Sequence, residues 1–177
     1  MIINQTASAT YRDIVAAPVN RVAEILFGKL VLHPASELPH CCAVTGLTRA
    51  LYRCDDAWVI LPKIELHIRD HIVVPDMARW HSSQIDVDEH QTVAIPNWCC
   101  DVFHPDTKKF DIVEKRQIYA DAGVSYLWHI DPSAKTLEAY ELRENNWLLT
   151  HVRSEDDTCD VPPFEAAPFN LGVLWSR

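Results

Sequence analysis

Three charged residues interrupt apolar stretches of this chain. Asp76 follows a proline in HIVVPDMARW, Asp101 stands inside IPNWCCDVF, and Lys115 lies in DIVEKRQIYADAG. Burying a charge is costly unless it is paired or metal-bound. Three such interruptions so close in sequence mark a site rather than a surface. Two carboxylates about 4 Å apart repel by roughly 4 kcal/mol at an effective dielectric near 20. A divalent cation removes that repulsion, and Mg²⁺ takes one or two carboxylates completed by water and phosphate oxygens. A lysine beside the pair can orient a water or stabilise charge in a transition state. By the repulsion argument, Asp76→Ala leaves stability level or raises it in metal-free buffer, whereas a structural salt bridge predicts the reverse.

The surrounding pattern says which elements hold these groups. Side chains alternate across a strand. A strand over 71–80 puts Ile72, Val74, Asp76, Ala78 and Trp80 on one face. A strand over 97–103 puts Cys99, Asp101 and Phe103 on one face and Trp98, Cys100 and Val102 on the other. Apolar residues on both faces imply a buried central strand, so Asp101 points into the protein or a cleft. A lone Asp of this kind is more often solvated at a strand end, but two together with a lysine favour a site. The spacing next predicts a helix over 111–122, opened by Asp111 with Glu114 and closed by Gly123. Its apolar arc holds Ile112, Val113, Ile118, Tyr119, Ala120 and Ala122, with Lys115 and Arg116 inside it. Two readings stay open for Lys115: its stem crosses the sheet with its head in solvent, or it reaches the two aspartates.

These residues carry a resemblance. The run from VVPDM through NWCCDVFHPDTKKFDIVEKRQIYADAGVSYLWHIDPSAKTLEAYEL resembles the Uma-type restriction-endonuclease-like family of the PD-(D/E)XK nuclease superfamily. Pro75-Asp76, the acidic strand ending in a proline, and the segment from Asp111 to Lys115 match its hallmarks. Tyr119, Ala122-Gly123-Val124, Tyr126, Trp128 and Ile130-Asp131-Pro132 continue the match. Earlier, AEILFGKLVLHPAS resembles the opening segment, with Glu24 and Gly28 matching, and His40 matches the start of the first long helix. The resemblance implies a metal-dependent endonuclease, Asp76 and Asp101 as metal ligands, Lys115 as the catalytic lysine, and Glu24 as a further ligand or base. Glu65, in KIELHI, is a weaker candidate. Two departures stand out. Asp101 occupies a position where the family usually has Glu, and Phe103 stands where the superfamily lysine is usual, so Lys115 from the following helix is expected to replace it.

The whole sequence bounds the alternatives. Its 177 residues, nearly half of them hydrophobic, suit a single globular domain over 1–177. No apolar run reaches the roughly 18–20 residues of a membrane span. The start, MIINQTASAT, lacks the regions of a signal peptide, and six cysteines without a C-x-x-C pair suit reduced thiols. Both favour a cytoplasmic home. The net charge of −9 argues against a broad nucleic-acid surface, so phosphate contact needs a local patch, for which Arg79, Lys108, Lys109, Lys115 and Arg116 are candidates. His67, His71 and His104 are scattered histidines that could approach the site.

The chain reads as a short helix over 10–16, a strand or hairpin over 21–33 around Gly28, and a helix over 39–53 with Leu47, Ala50, Leu51 and Cys54 at helical spacing. Strands follow over 58–68 and 71–80, then a polar loop over 81–93, the central strand and the helix. A meander over 126–130, 136–142 and 147–153 closes the chain with an apolar tail. The class is α/β (α+β): a restriction-endonuclease-like mixed sheet flanked by helices, with a C-terminal antiparallel meander. The expected function is Mg²⁺- or Mn²⁺-dependent hydrolysis of phosphodiester bonds, in DNA, by a homodimer that uses Phe169, Leu171, Val173, Leu174 and Trp175 as contact surface. The same tail could instead close the core. Two competing readings are an inactive nuclease-fold homologue acting as an oligomeric binding module, and a structural protein whose aspartates are salt-bridged to Lys115 and Arg116.

Overall fold

Alternating and fully apolar strand runs assemble into two sheets and a small ribbon. The computed structural model describes residues 2–3, 8–34, 37–52, 57–86 and 94–176. In chain order these give β1 (Ile2–Ile3), α1 (Tyr11–Val15), β2 (Val22–Leu26), β3 (Lys29–His33), α2 (Leu38–Leu51), β4 (Trp58–Pro62), β5 (Leu66–Ile68), β6 (His71–Val73), β7 (Met77–His81) and β8 (Trp98–Val102). A wide π-type turn, Phe110–Lys115, leads into α3 (Arg116–Ala122). Then come β9 (Tyr126–Asp131), β10 (Thr136–Arg143), β11 (Asn146–Ser154), β12 (Thr158–Cys159), β13 (Phe169–Asn170) and a 3₁₀ turn at Leu171–Leu174.

The larger sheet has the order β11-β10-β9-β8-β7-β4 and the smaller β1-β3-β2-β6-β5. Among the described residues, only the β8–β9 pairing is parallel in the larger sheet, and α3 supplies its crossover. The mixed sheet flanked by helices and the closing meander are thus the expected architecture. α2 and the tail cover one face of the larger sheet, where Ala43, Leu47 and Leu51 pack on Trp98, Cys100, Val102, Trp128 and Ile130. The other face carries Ala78, Trp80, Cys99 and Leu127, covered by Ile118 and Tyr119 of α3 and by Leu26, Val31, Leu66 and Val73 of the smaller sheet. β8 is therefore buried on both faces, with the alternation read from the sequence.

The β2–β3 hairpin turns on Phe27 and Gly28, with φ of 49° and 74°. Two consecutive left-handed residues are what a two-residue hairpin turn requires, and glycine supplies the second without strain. At Gly46 of α2, an added Cβ would lie 2.5 Å from the Val173 carbonyl oxygen. The helix and the tail meet there by backbone approach.

Several expectations are corrected. The strand expected over 71–80 is two strands in different sheets: β6 ends at Val73, β7 begins at Met77, and residues 74–76 form the corner between them. The strand expected over 58–68 likewise divides into β4 and β5. Pro62 removes a ladder donor where β4 ends, and Lys63 follows at a φ of 52°. Asp111 does not cap a helix, because the helical path already begins at Phe110. The wide turn rotates the phase of what precedes it, so Ile112 and Val113 are exposed while Phe110 and Asp111 are buried. The tail is mostly core: Leu171 and Leu174 have no exposed surface, Phe169 and Trp175 are partly buried, and Val173 is 40% exposed. That burial argues against the tail as a subunit contact. Cys54 lies outside the described residues, as does most of the loop expected over 81–93. No helix among the described residues is long and apolar enough to cross a membrane.

Candidate active site

The corner between β6 and β7 makes the site. β7 and β8 run antiparallel with Met77 opposite Cys100. That register, carried one residue further, sets Asp76 opposite Asp101. Glu24 comes from β2, on the face it shares with Leu26, and Lys115 comes from the last turn of the π segment. All four are buried.

Lys115 is the hub. Its Nζ donates to Asp101 Oδ1 at 2.6 Å and to the Val74 carbonyl at 3.3 Å. It also lies 3.2 Å from Asp111 Oδ1 and 3.5 Å from Glu24 Oε1. The reading in which its head reaches solvent is therefore overturned: the ammonium is enclosed by three acids. Tyr119 adds a long contact to Asp101 Oδ1 at 3.5 Å. Asp76 has other partners. Its Oδ2 accepts the Val102 backbone N–H at 2.7 Å. Its Oδ1 meets His40 Nε2 at 2.9 Å and the Lys63 ammonium at closer range. Glu24 accepts the Val74 N–H at 2.5 Å through Oε1, and its Oε2 lies 2.5 Å from His33 Nε2.

The charge states follow. Four carboxylates, Glu24, Asp76, Asp101 and Asp111, share two ammoniums, Lys63 and Lys115, helped by His33 and His40. Burial pushes Asp101 up to about 6; Asp76 and Glu24 add to the rise and Lys115 opposes it. Burial likewise raises Asp111 well above the carboxylate range, against the pull of Lys115. Asp76 goes the opposite way: burial would raise it, but His40 and Lys63 hold it well below the usual range. Glu24 is also lowered, since Lys115, His33 and the Val74 N–H outweigh its burial. For Lys115, burial favours the neutral form, yet Asp101 and Glu24 keep the ammonium well above the ordinary lysine range.

A narrow cavity of about 40 Å³ opens on this cluster, lined by Glu24, His33, His40, Lys63, Asp76, His104, Asp111 and Lys115 among others. That volume admits an ion with a water or two, a single water needing roughly 10–15 Å³. Asp101 is not on its wall, so of the two directions open to it from the sequence it points into the protein. The Asp101 side chain is fully enclosed, and Lys115, which holds it, reaches the cleft instead. Asp101 Oδ2 is buried and has no hydrogen-bond partner among the described residues. No group of three or more His, Cys, Asp or Glu among the described residues forms a ready metal cage. Hard divalent ions need only one or two carboxylates from the protein. An oxygen-rich donor set, a surplus of buried negative charge and an orphaned carboxylate oxygen fit such an ion.

The other candidates, His104 excepted, do not line this cleft. Glu65 pairs with His67, away from this cleft. His71 accepts the Phe27 N–H, while His104 lines the cleft and faces Glu37 at 3.5 Å. Arg79 is no part of a basic patch; it is buried, stacked over Trp58 and Phe164, and donates to Asn97 and the Pro163 carbonyl. Arg116 lies over Tyr140 rather than on an aspartate. Lys108 pairs with Asp131 at 2.7 Å. Sequence reasoning missed His33, Lys63 and Asp111. His33 was discoverable as a same-face neighbour of Glu24 across a tight hairpin, and Asp111 as an i,i+4 partner of Lys115. Nothing in LPKIEL marks Lys63.

Residues 17–172 match the model of the Uma2 family, described as "Putative restriction endonuclease". One solved structure similar to this chain is described as "a putative nuclease belonging to DUF820 from Anabaena variabilis ATCC 29413". It aligns with a TM-score of 0.73 and 20% identity, over 94% of this chain and 97% of that one. At that identity the likeness establishes the fold alone. No curated protein matches the sequence. The family model spans nearly all of the two sheets and every residue of the cluster, and the chain belongs to the Uma2 family.

Proposed function

We propose that the protein is a Mg²⁺- or Mn²⁺-dependent endonuclease that hydrolyses phosphodiester bonds, with DNA as its substrate. One observation carries the reading. One buried aspartate stands at the entry to β7 and another in the neighbouring β8, and a lysine that reaches the cleft grips the second. Asp76 and Asp101 would hold the ion, which when bound supplies Lewis-acid polarisation of a phosphate. Lys115 does the chain's own work. It is ammonium at neutral pH, fixed by three acids, and able to donate a proton-bearing hydrogen bond to a water or phosphate oxygen in the cleft. Glu24 fixes Lys115 and is itself pinned by the Val74 N–H, so it serves as a positioning residue. The substrate backbone would meet Lys63 at the cleft rim, with Lys108 and Lys109 on the segment between the cleft-lining Thr107 and Asp111. A homodimer remains part of the proposal, with a surface other than the tail, and light scattering at micromolar concentration checks it.

The binding-module reading keeps one observation in its favour: both oxygens of Asp76 are already engaged and Asp101 lies behind the cleft wall. Plasmid nicking separates the two. Wild type should nick DNA with Mn²⁺ or Mg²⁺, and Asp76→Asn should not. Asp101→Glu lengthens the second acid by one methylene and should raise the rate. Absence of metal binding and cleavage in wild type and Asp101→Glu alike would leave the binding-module reading.

A further inference from the structure

Resting on the metal-dependent reading above, we infer that Lys63 is a displaceable counter-ion: its ammonium neutralises Asp76 until a divalent ion takes that place, and then turns to the substrate phosphate. The two proposed ligands are occupied in parallel ways. Asp101 Oδ1 is held by Lys115 and Asp76 Oδ1 by Lys63. The two lysines differ in freedom. The Lys115 side chain is 4% exposed and enclosed by acids, whereas the Lys63 side chain is 39% exposed at the cleft rim.

The backbone of Lys63 is anchored while its head is free. Its N–H donates to the Asp76 carbonyl at 3.2 Å. Its φ of 52° lies in the left-handed region, uncommon for a residue with a side chain. The β4–β5 connection therefore holds Lys63 against Asp76 at some conformational cost. A four-carbon stem swings out through rotamer changes alone. An ion that Asp76 would help to hold requires the ammonium to leave Asp76 Oδ1, because two cations at one carboxylate oxygen repel. Displacement leaves the ammonium at the cleft mouth, where a phosphate oxygen of a bound strand would arrive.

Calorimetric titration with Mn²⁺, without nucleic acid, tests the first step. Lys63→Gln keeps the stem and removes the charge, and should bind Mn²⁺ about fivefold more tightly, the upper range for a half-exposed ion pair. Lys63→Arg should stay near wild type. Equal or weaker Mn²⁺ binding by Lys63→Gln overturns the counter-ion role and leaves the metal reading intact. Absence of Mn²⁺ binding in wild type and Lys63→Gln alike overturns both. Binding of a short DNA duplex in Ca²⁺ tests the second step. Lys63→Gln should bind more weakly than wild type and Lys63→Arg should restore affinity, whereas unchanged duplex affinity in Lys63→Gln overturns the phosphate contact.

Discussion

Removing Asp76 is a stability experiment before it is an activity experiment. Repulsion between two carboxylates would make Asp76→Ala neutral or stabilising without metal. The partners of Asp76 reverse that sign. Its Oδ2 accepts the buried Val102 N–H at 2.7 Å. A hydrogen bond to a charged group is worth about 1.5–3 kcal/mol, and its loss leaves a buried donor unsatisfied. The Lys63 pair adds at most about 1 kcal/mol, because that ammonium returns to water. Asp76→Ala should therefore cost about 2–4 kcal/mol in metal-free buffer at pH 7. Asp76→Asn keeps an acceptor for Val102 and should cost about half as much.

Urea unfolding of the three proteins, each with chelator, reads these differences as midpoint shifts at constant slope. The pH dependence supplies a second check. The folded carboxyl titrates below its ordinary value of 3.8. Its contribution is thus fully present above that value and lost as pH falls through the folded pKa. The gap between wild type and Asp76→Ala should be widest near neutrality and close in acid. An unchanged or raised midpoint for Asp76→Ala at pH 7 would refute this reasoning and restore the repulsion argument.

Asp101 should behave oppositely. With a folded pKa of about 6 against an ordinary 3.8, it favours folding below 3.8 and loses that contribution as pH rises to 6. At pH 7 its charge opposes folding by up to about 3 kcal/mol. Asp101→Asn should be as stable as wild type or more so at pH 7, with a flatter pH–stability curve between 4 and 6; a midpoint as low as that of Asp76→Ala would contradict it. Lys115→Met removes the ammonium shared by three acids and should cost about 3–5 kcal/mol at pH 7, less as acid protonates Asp101. A loss under about 1 kcal/mol in the same urea series would show that the lysine is not the hub.

Legibility in the sequence followed how local each signal was. The double-faced apolar strand around Asp101 and the Gly123 stop are set by neighbouring residues, and each stands where the pattern put it; around Gly28 the hairpin, one of the two readings, is what forms. Gly123 closes α3 with a φ of 82°. The corner at 74–76 was not legible, because Ile72 to Trp80 alternates as one strand would, and only competition between two sheets breaks it. The π-type turn was equally hidden. One extra residue in a helical turn shifts the phase of Ile112 and Val113, and no composition marks it. The Lys63 contact depends on a sheet edge meeting a corner from a distant pairing.

The antiparallel register makes Asp76 and Asp101 geometric equals, yet their environments separate them. Asp76 sits at a strand entry, where a backbone N–H, an imidazole and an ammonium can all converge. Asp101 sits within β8, fully buried, with one ammonium that Asp111 and Glu24 also use. The deficit of positive charge therefore falls on the Asp101 side of the cluster, where protons fill it as pH drops. A divalent ion would fill the same deficit without a proton. Metal and acid should then compete for one electrostatic vacancy, so Mn²⁺ affinity should fall as pH drops below about 6 and the raised Asp101 takes up its proton.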